Sequence, residues 1–468
     1  MRKTLIFSTL TAALGGFLFG YDTAVISGTV PLVKEQFNLS ALTEGWYVSS
    51  ALVGSIAGVL LAGKLSEKFG RKKTLIMSAM LFFISAIGCM FSIGHTDLII
   101  YRVLGGMGVG FASVVSPVYI SEIAPANYRG RLVALYQFFL TIGILVAYIA
   151  NSAIFEFGLN LDVENYPEKK IFCKIVIEQN WRMMLGTEII PAFLFLMLLF
   201  FVPESPRWLI AKGNTLLARR TLFDLHKKDE AMKEIAEIKK SMKNKSAATK
   251  SLLKNGLMKA LIIGVVLAAL TQLSGINAII YYGPSILQKT GIESSDALTG
   301  QVLIGIVNVL FTIIALWKID SFGRKNLLII GITGIIITLV ILGVLFYYSP
   351  KSYILILTFI IIFIACFAFS YGPVIWVLLS EIYPTQMRGR AMAIATFSLW
   401  LGTAFVGQMV PYFLERIGSF GTFWLFAGLT LPAFFIVKYM LPETKGKSLE
   451  EIENFWKNNT QKSTVDVW

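Results

Sequence analysis

Apolar runs of about 20 residues recur along the whole chain, each closed by a short polar or basic segment, and that length suits an α-helix crossing a hydrocarbon core. Twelve runs can be delimited, near 5–30, 46–65, 74–94, 97–121, 131–156, 182–202, 257–286, 297–317, 327–348, 352–380, 390–416 and 421–441. Two stretches interrupt the alternation. Residues 157–181 form a polar loop, and residues 204–256 form a long basic connection in which Leu216, Leu217, Phe223, Leu225, Ile235 and Ile238 are spaced for short amphipathic helices. The first run follows Arg2 and Lys3 as a secretion signal would, but it continues through Asp22 to Val30. That is too long for a cleaved leader and long enough to span. The pattern predicts an all-α membrane protein of twelve transmembrane helices.

Composition agrees. The 468 residues are 56% hydrophobic and only 15% charged, with a mean hydropathy of +0.69, where an average soluble domain carries roughly 25% charged residues. The net charge of +14 does not point to nucleic acid, because the basic residues sit in loops between the apolar runs. Lys64, Lys68, Arg71, Lys72 and Lys73 follow the second run, and Lys318, Arg324 and Lys325 follow the eighth. On the opposite side Lys34, Lys289, Lys351 and Arg416 are nearly isolated, with Lys169, Lys170 and Lys174 in the long loop. The positive-inside rule therefore predicts that both termini and the 204–256 connection face the cytoplasm. Three cysteines, Cys89, Cys173 and Cys366, form neither a disulfide framework nor a metal spacing.

The basic loops repeat. GKLSEKFGRKK (63–73) answers WKIDSFGRKN (317–326), SEIAPANYRGR (121–131) answers SEIYPTQMRGR (380–390), and PESPRW (203–208) answers PETKGKS (442–448). Three motifs returning in one order, six spans apart, predict a duplicated chain. Its parts are a six-helix half over 1–203, a cytoplasmic helical linker over 204–256, a second half over 257–441 and a cytoplasmic tail over 442–468. Halves related about the membrane normal are a transporter arrangement, with a substrate site expected between them near the midplane.

Charge inside the spans is rare and therefore informative. Asp22 lies within FGYDTAVISGT (19–29) of the first run, where a carboxylate costs at least ~2.5 kcal/mol unless it has a partner, a proton or water. Counting helical rise places Asp22 ~12 Å from the outer end of its span and Arg102 ~8 Å from the outer end of the fourth, so the two can meet. A fixed structural ion pair is the plain alternative to a proton-carrying one. Glu188 is a second acid inside a span, suited to the same proton route or to helix packing through hydrogen bonds.

In this setting the chain resembles the sugar porters of the major facilitator superfamily. The resemblance is carried by FGYDTAVISG, both GRK loops, both E-x-x-P-x-x-x-R-G-R loops, PESPRW, QLSGINAIIYY (272–282), GPVIWVLLSE (372–381) and PETKG. It implies two six-helix halves, alternating access, and a proton acceptor at Asp22 partnered by Arg102. Facilitative members have asparagine at the matching position, so the aspartate here favours proton symport. The resemblance also implies sugar-binding roles for Gln137, Gln272, Asn277, Tyr281, Tyr282, Asn308 and Trp376, with Thr271 and Trp400 beside them. Amides, hydroxyls and a flat ring suit a neutral polyol, although a lone amide in a span more often serves as glue between helices. Gly275, Pro284 and Gly372-Pro373 give the spans places to bend or unwind.

Two positions depart from the family pattern. Thr271 stands where a second glutamine usually precedes Gln272, and Leu399 stands where an amide usually precedes Trp400. Fewer amides in the pocket imply a changed sugar preference. The repeated cytoplasmic motifs place Arg71, Glu122, Arg129 and Glu204 in one half and Asp320, Arg324, Glu381, Arg388 and Glu443 in the other. They are suited to a latch between halves that opens and closes, or to helix capping and topology alone. Glu67 replaces the usual aspartate of the first GRK loop.

Phosphate loops, zinc patterns, paired-carboxylate sites and nucleophile elbows are missing from the sequence, and His95 and His226 fall outside the spans, so no enzyme is expected. The expected cargo is a monosaccharide, the coupling ion a proton, and no cofactor or metal is expected. The setting is the plasma membrane, a bacterial inner membrane by the shortness of the termini, with the protein functional as a monomer. An uncoupled sugar or polyol uniporter is the nearest alternative. A transporter-like nutrient sensor is the more distant one.

Overall fold

The computed structural model describes residues 3–125, 128–160, 179–225, 231–232, 235, 257–383, 388–447, 451–452 and 455–456. Within them, twelve helical segments are long and apolar enough to cross a membrane. In chain order these spans are Lys3–Phe37, Ala41–Phe69, Arg71–Phe91, His95–Ile123, Arg129–Leu159, Asn180–Phe200, Met258–Gln288, Ser294–Ile319, Arg324–Tyr348, Tyr353–Ile382, Arg390–Arg416 and Gly418–Met440. Most extend past the apolar stretch that predicted them. A helix continues into the polar boundary until its backbone finds a stop, as at Gly70 (φ +99°) and Gly323 (φ +85°) after the second and eighth spans.

The chain divides into two compact units, residues 1–247 and 248–468. In the first, span one packs along span five, span two along span four, and span three against spans four and six. In the second, span seven packs along span eleven, span eight against span ten, and span nine against spans ten and twelve. The same partners recur six spans later, as duplicated loop motifs require. Small residues allow the close approaches: a Cβ on Gly106 of span four would strike the Ala51 carbonyl, and one on Gly143 of span five would strike that of Phe17.

Three spans are broken where polar function was expected. Span six consists of Asn180–Gly186 and Ile189–Phe200, joined through Thr187 and Glu188. Span seven stops at Leu273 and resumes at Ile276, with Gly275 left-handed at φ +85°. Pro284, also expected to bend that span, sits inside the regular helix Ile276–Gln288. Span ten passes through a π-helical turn, Phe367–Tyr371, directly before Gly372-Pro373. Proline has no N–H to continue the ladder, so the turn widens ahead of it.

Residues 161–178 of the polar loop and residues 226–230, 233–234 and 236–256 of the connection, Ile238 among them, lie outside the described residues. In the described part of the connection, helix Thr215–Leu225 buries Ala218, Thr221, Leu222 and Leu225, and Leu209 and Ile210 pack onto Ala218 beneath Trp208. Leu216 and Leu217, expected on the apolar face, are exposed instead. The three- and four-residue spacing that is buried starts at Ala218, so Leu216 falls on the opposite side and Leu217 at the flank of the buried stripe.

Candidate functional site

Asp22 and Arg102 meet. Arg102 Nη1 donates to Asp22 Oδ1 at 2.6 Å, and the two residues are 3% and 2% exposed. Span one supplies the acid and span four the base. Gly105, one turn below Arg102, lets span three approach: a Cβ there would collide with the Ser85 side chain, while it would only touch the Asp22 carboxylate at 3.7 Å. The break in span six brings in a third charge. Glu188 is 3% exposed, its Oε1 has no hydrogen-bond partner among the described residues, and it lies within electrostatic reach of both Asp22 and Arg102. Tyr21, adjacent to Asp22, shares a 2.6 Å hydrogen bond with Thr187, adjacent to Glu188, and so ties the two acids' helices together. Two carboxylates therefore lie near one guanidinium in a buried setting. With every group ionised this cluster carries a surplus negative charge, and one proton neutralises it. A proton-binding centre needs that charge count.

The second cluster lies in unit two. Asn277 Nδ2 donates to Gln272 Oε1 at 2.6 Å. Residues five apart do not face each other on a regular α-helix, so the break at Gly275 is what lets these amides meet. Gly402 of span eleven lies against Gln272, where an added Cβ would come within 3.3 Å of the Gln272 Cβ. Tyr282 donates to the Gly407 carbonyl at 2.6 Å, anchoring the outer part of span seven to span eleven, and Tyr281 is buried edge-on against it. Asn308 and Trp376 are half-buried and keep exposed surface, as does Gln137 in span five of unit one. Thr271 is buried and donates to the Leu267 carbonyl at 2.8 Å, so its hydroxyl proton is spent on its own helix; Leu399 and Trp400 are also buried.

The cytoplasmic motifs build one network twice. In unit one, Arg71 grips Glu122 with Nε and Nη2 at 2.8 and 2.9 Å. Glu204 accepts from the backbone N–H groups of Arg71, Lys72 and Ser205 at 2.9, 3.1 and 2.8 Å. In unit two, Arg324 grips Glu381 at 3.2 and 2.9 Å, and Glu443 accepts from the backbone of Arg324 and Lys325 at 3.0 and 3.2 Å. Each capping glutamate sits at the N-terminus of a span, where backbone donors and helix dipole favour an anion. Burial nonetheless pushes the Glu204 carboxyl up from its ordinary value, against those backbone donors and Arg71. Arg71 thus pairs inside its own half, and Arg324 inside its own. Arg129 is half-buried with its Nε unpartnered, and the side chains of Asp320 and Arg388 lie outside the described residues.

Some participants carried no signal in the sequence. Ser205, whose hydroxyl donates to Glu122 at 2.6 Å, stands in the PESPRW motif, but its partner is 83 residues away. Thr187 and Gly402 matter only through contacts with other spans. Among the described residues, no three His, Cys, Asp or Glu side chains gather to hold a metal ion.

Comparison with known proteins places this geometry. The sugar (and other) transporter family model matches residues 8–456. The arabinose-proton symporter of Bacillus subtilis is 40% identical over 97% of this chain and 95% of its own length. The D-xylose-proton symporter of Escherichia coli K12 is 39% identical over 99% and 98%. A solved structure of the xylose transporter XylE from E. coli superposes with a TM-score of 0.83 at 36% identity, covering 95% of this chain and 99% of that one.

Proposed function

The chain belongs to the sugar transporter family, and we propose that it imports a monosaccharide, a pentose or hexose, together with a proton by alternating access. It is an integral membrane protein and not an enzyme. The observation that carries the coupling is the buried cluster in which Asp22 pairs with Arg102 and Glu188 lies within electrostatic reach of both. A proton taken up by Asp22 releases Arg102 from its ion pair, and the conformations that favour each arrangement then differ in energy. A ligand shifts such an equilibrium only by binding its states differently, and the proton does so here. Named arabinose, xylose and galactose relatives are proton symporters, which supports this reading.

In unit two the amide pair Gln272 and Asn277, with Asn308 and the Trp376 ring, supplies the donors, acceptors and flat face that a neutral sugar requires, and in unit one Gln137 offers a further amide. Tyr281, Trp400 and Thr271 shape the surroundings. The basic loops support a topology with both termini in the cytoplasm, and our reading sets the protein in a bacterial inner membrane, working as a monomer with the proton as coupling ion.

The test is sugar-driven proton uptake in proteoliposomes. Wild-type protein should alkalinise a weakly buffered exterior on adding its sugar. Asp22→Asn should lose accumulation against a gradient while keeping counterflow. If wild-type uptake moves no protons and Asp22→Asn accumulates normally, Asp22 is a structural partner and the protein is a uniporter. Competition by unlabelled pentoses, hexoses and polyols, repeated on Thr271→Gln and Leu399→Asn, then identifies the sugar.

A further inference from the structure

A buried serine or threonine hydroxyl in a helix ordinarily donates back to the carbonyl three or four residues earlier. This protein follows that habit along most of its spans: Ser27 donates to Ala24, Ser50 to Tyr47, Ser55 to Ala51, Thr141 to Phe138 and Thr338 to Gly334. Four buried Ser/Thr hydroxyls among the described residues have no partner, Thr9, Thr11, Ser116 and Thr444, and a fifth, Ser8, has only the Tyr119 hydroxyl beside it. Four of the five lie in spans one and four, at the ends that the proposed topology turns toward the cytoplasm, and each is at most 1% exposed. A hydroxyl removed from water and left unbonded is costly, and a cluster of them marks a place that binds water.

Their arrangement is linear. Ser8, Thr11, Gly15, Leu18 and Asp22 follow at steps of three and four, along one face of span one. A Cβ at Gly15 would collide with the Ser116 hydroxyl of span four and come within 3.3 Å of the Phe195 ring of span six. Farther inward, Tyr119 lies beside Ser8 and donates to the Pro203 carbonyl at 2.7 Å, next to Glu204. At the other end stand Asp22, Arg102 and Glu188, where Arg102 Nε and Glu188 Oε1 are also unpartnered. The titratable groups along the path are therefore Asp22, Arg102 and Glu188 above, and Tyr119 and Glu204 below.

We propose that Ser8, Thr11 and Ser116 line a narrow water-binding passage inside the first unit, through which the proton carried by Asp22 leaves for the cytoplasm, with Phe195 as the gate beside Gly15. The assignment rests on the symport reading. Asp22 gives its proton to the first water and regains its ion pair with Arg102. Each hydroxyl along the passage accepts one proton and donates another, so the residues are unchanged once a proton has reached the bulk. Phe195 interrupts the line of oxygens while its ring lies at Gly15, and the line becomes continuous through water when the ring turns away.

The test uses full-length protein in proteoliposomes. Thr11→Val and Ser116→Ala should slow proton-driven accumulation about ten-fold, as expected when a hydrogen-bonded relay loses a member. Sugar counterflow, which needs no proton release, should be unchanged, and Thr11→Ser should restore the wild-type rate. Hydroxyl-radical footprinting supplies a readout independent of transport. Phe195 and Tyr119 should be oxidised despite their burial, and less so in the Thr11→Val, Ser116→Ala double variant. Absence of labelling at both residues overturns the passage even if symport stands. So does a loss of accumulation matched by an equal loss of counterflow. If wild-type sugar uptake moves no protons while both residues are labelled, the symport reading fails, and the proton-release role falls with it.

Discussion

The two cytoplasmic networks share a plan and differ in finish. Each has an arginine gripping a glutamate from the neighbouring span, a second glutamate capping the next helix, and a positive-φ glycine at the turn. In unit one, the Ser205 hydroxyl also reaches Glu122, and the Arg71–Glu122 side chains are 15% and 11% exposed. In unit two, Thr444 follows the capping glutamate as Ser205 does, but its hydroxyl is buried and unpartnered, and Glu381 is 22% exposed. The PESP and PETK motifs are alike to the eye, yet only one completes its hydrogen bonds. Duplication preserved the charges. The lesser polar contacts drifted, because each contributes less free energy and is lost at less cost.

That comparison can be broken in three places. Removing an arginine should have the largest effect, since it strands a carboxylate largely out of water. Arg71→Ala should lower unfolding stability in detergent by about 3 kcal/mol and Arg324→Ala by about 1–2 kcal/mol, the wetter pair losing less. Equal losses would show that the difference in burial has no energetic weight. Next come the glycines. Gly70→Ala sets a side chain at φ +99° against the Glu204 carboxylate, and should cost about 2 kcal/mol. Gly323→Ala meets Glu443 at 2.7 Å and should cost less, read as a smaller fall in melting temperature. Last, Ser205→Ala should cost about 1 kcal/mol while Thr444→Val costs nothing or stabilises slightly, because it removes an unsatisfied hydroxyl. A loss on Thr444→Val as large as that on Ser205→Ala would mean the two networks are equally complete.

Much of the fold was legible because a membrane imposes a length and a polarity on every span. Twelve runs became twelve spans among the described residues, three of them broken, and the depth of Asp22 and Arg102, counted from the rise per residue, allowed the contact that they make. The breaks were legible in the sequence: Gly275 and Gly372-Pro373 announce themselves, and in span six Gly186 and Pro191 flank Thr187-Glu188, Pro191 lacking the N–H that would have met the Thr187 carbonyl. Leu216 and Leu217 misled because two adjacent leucines suit either face of a helix until its packing partner selects one.

Local chemistry and repetition in the sequence determined the class of protein, its duplication, the rare charges inside the spans and the residue types suited to a sugar. Tertiary structure alone decided which partner each of them found. It set both Arg71 and Ser205 on Glu122, let Gln272 turn back to Asn277 across a broken span, brought Glu188 within reach of Asp22, and left Thr11 and Ser116 without the carbonyls that other hydroxyls use. The physical reason is common to all four. Hydropathy and helical rise act along the chain and can be counted from it, whereas a buried polar group is satisfied by whatever another helix places a few ångströms away.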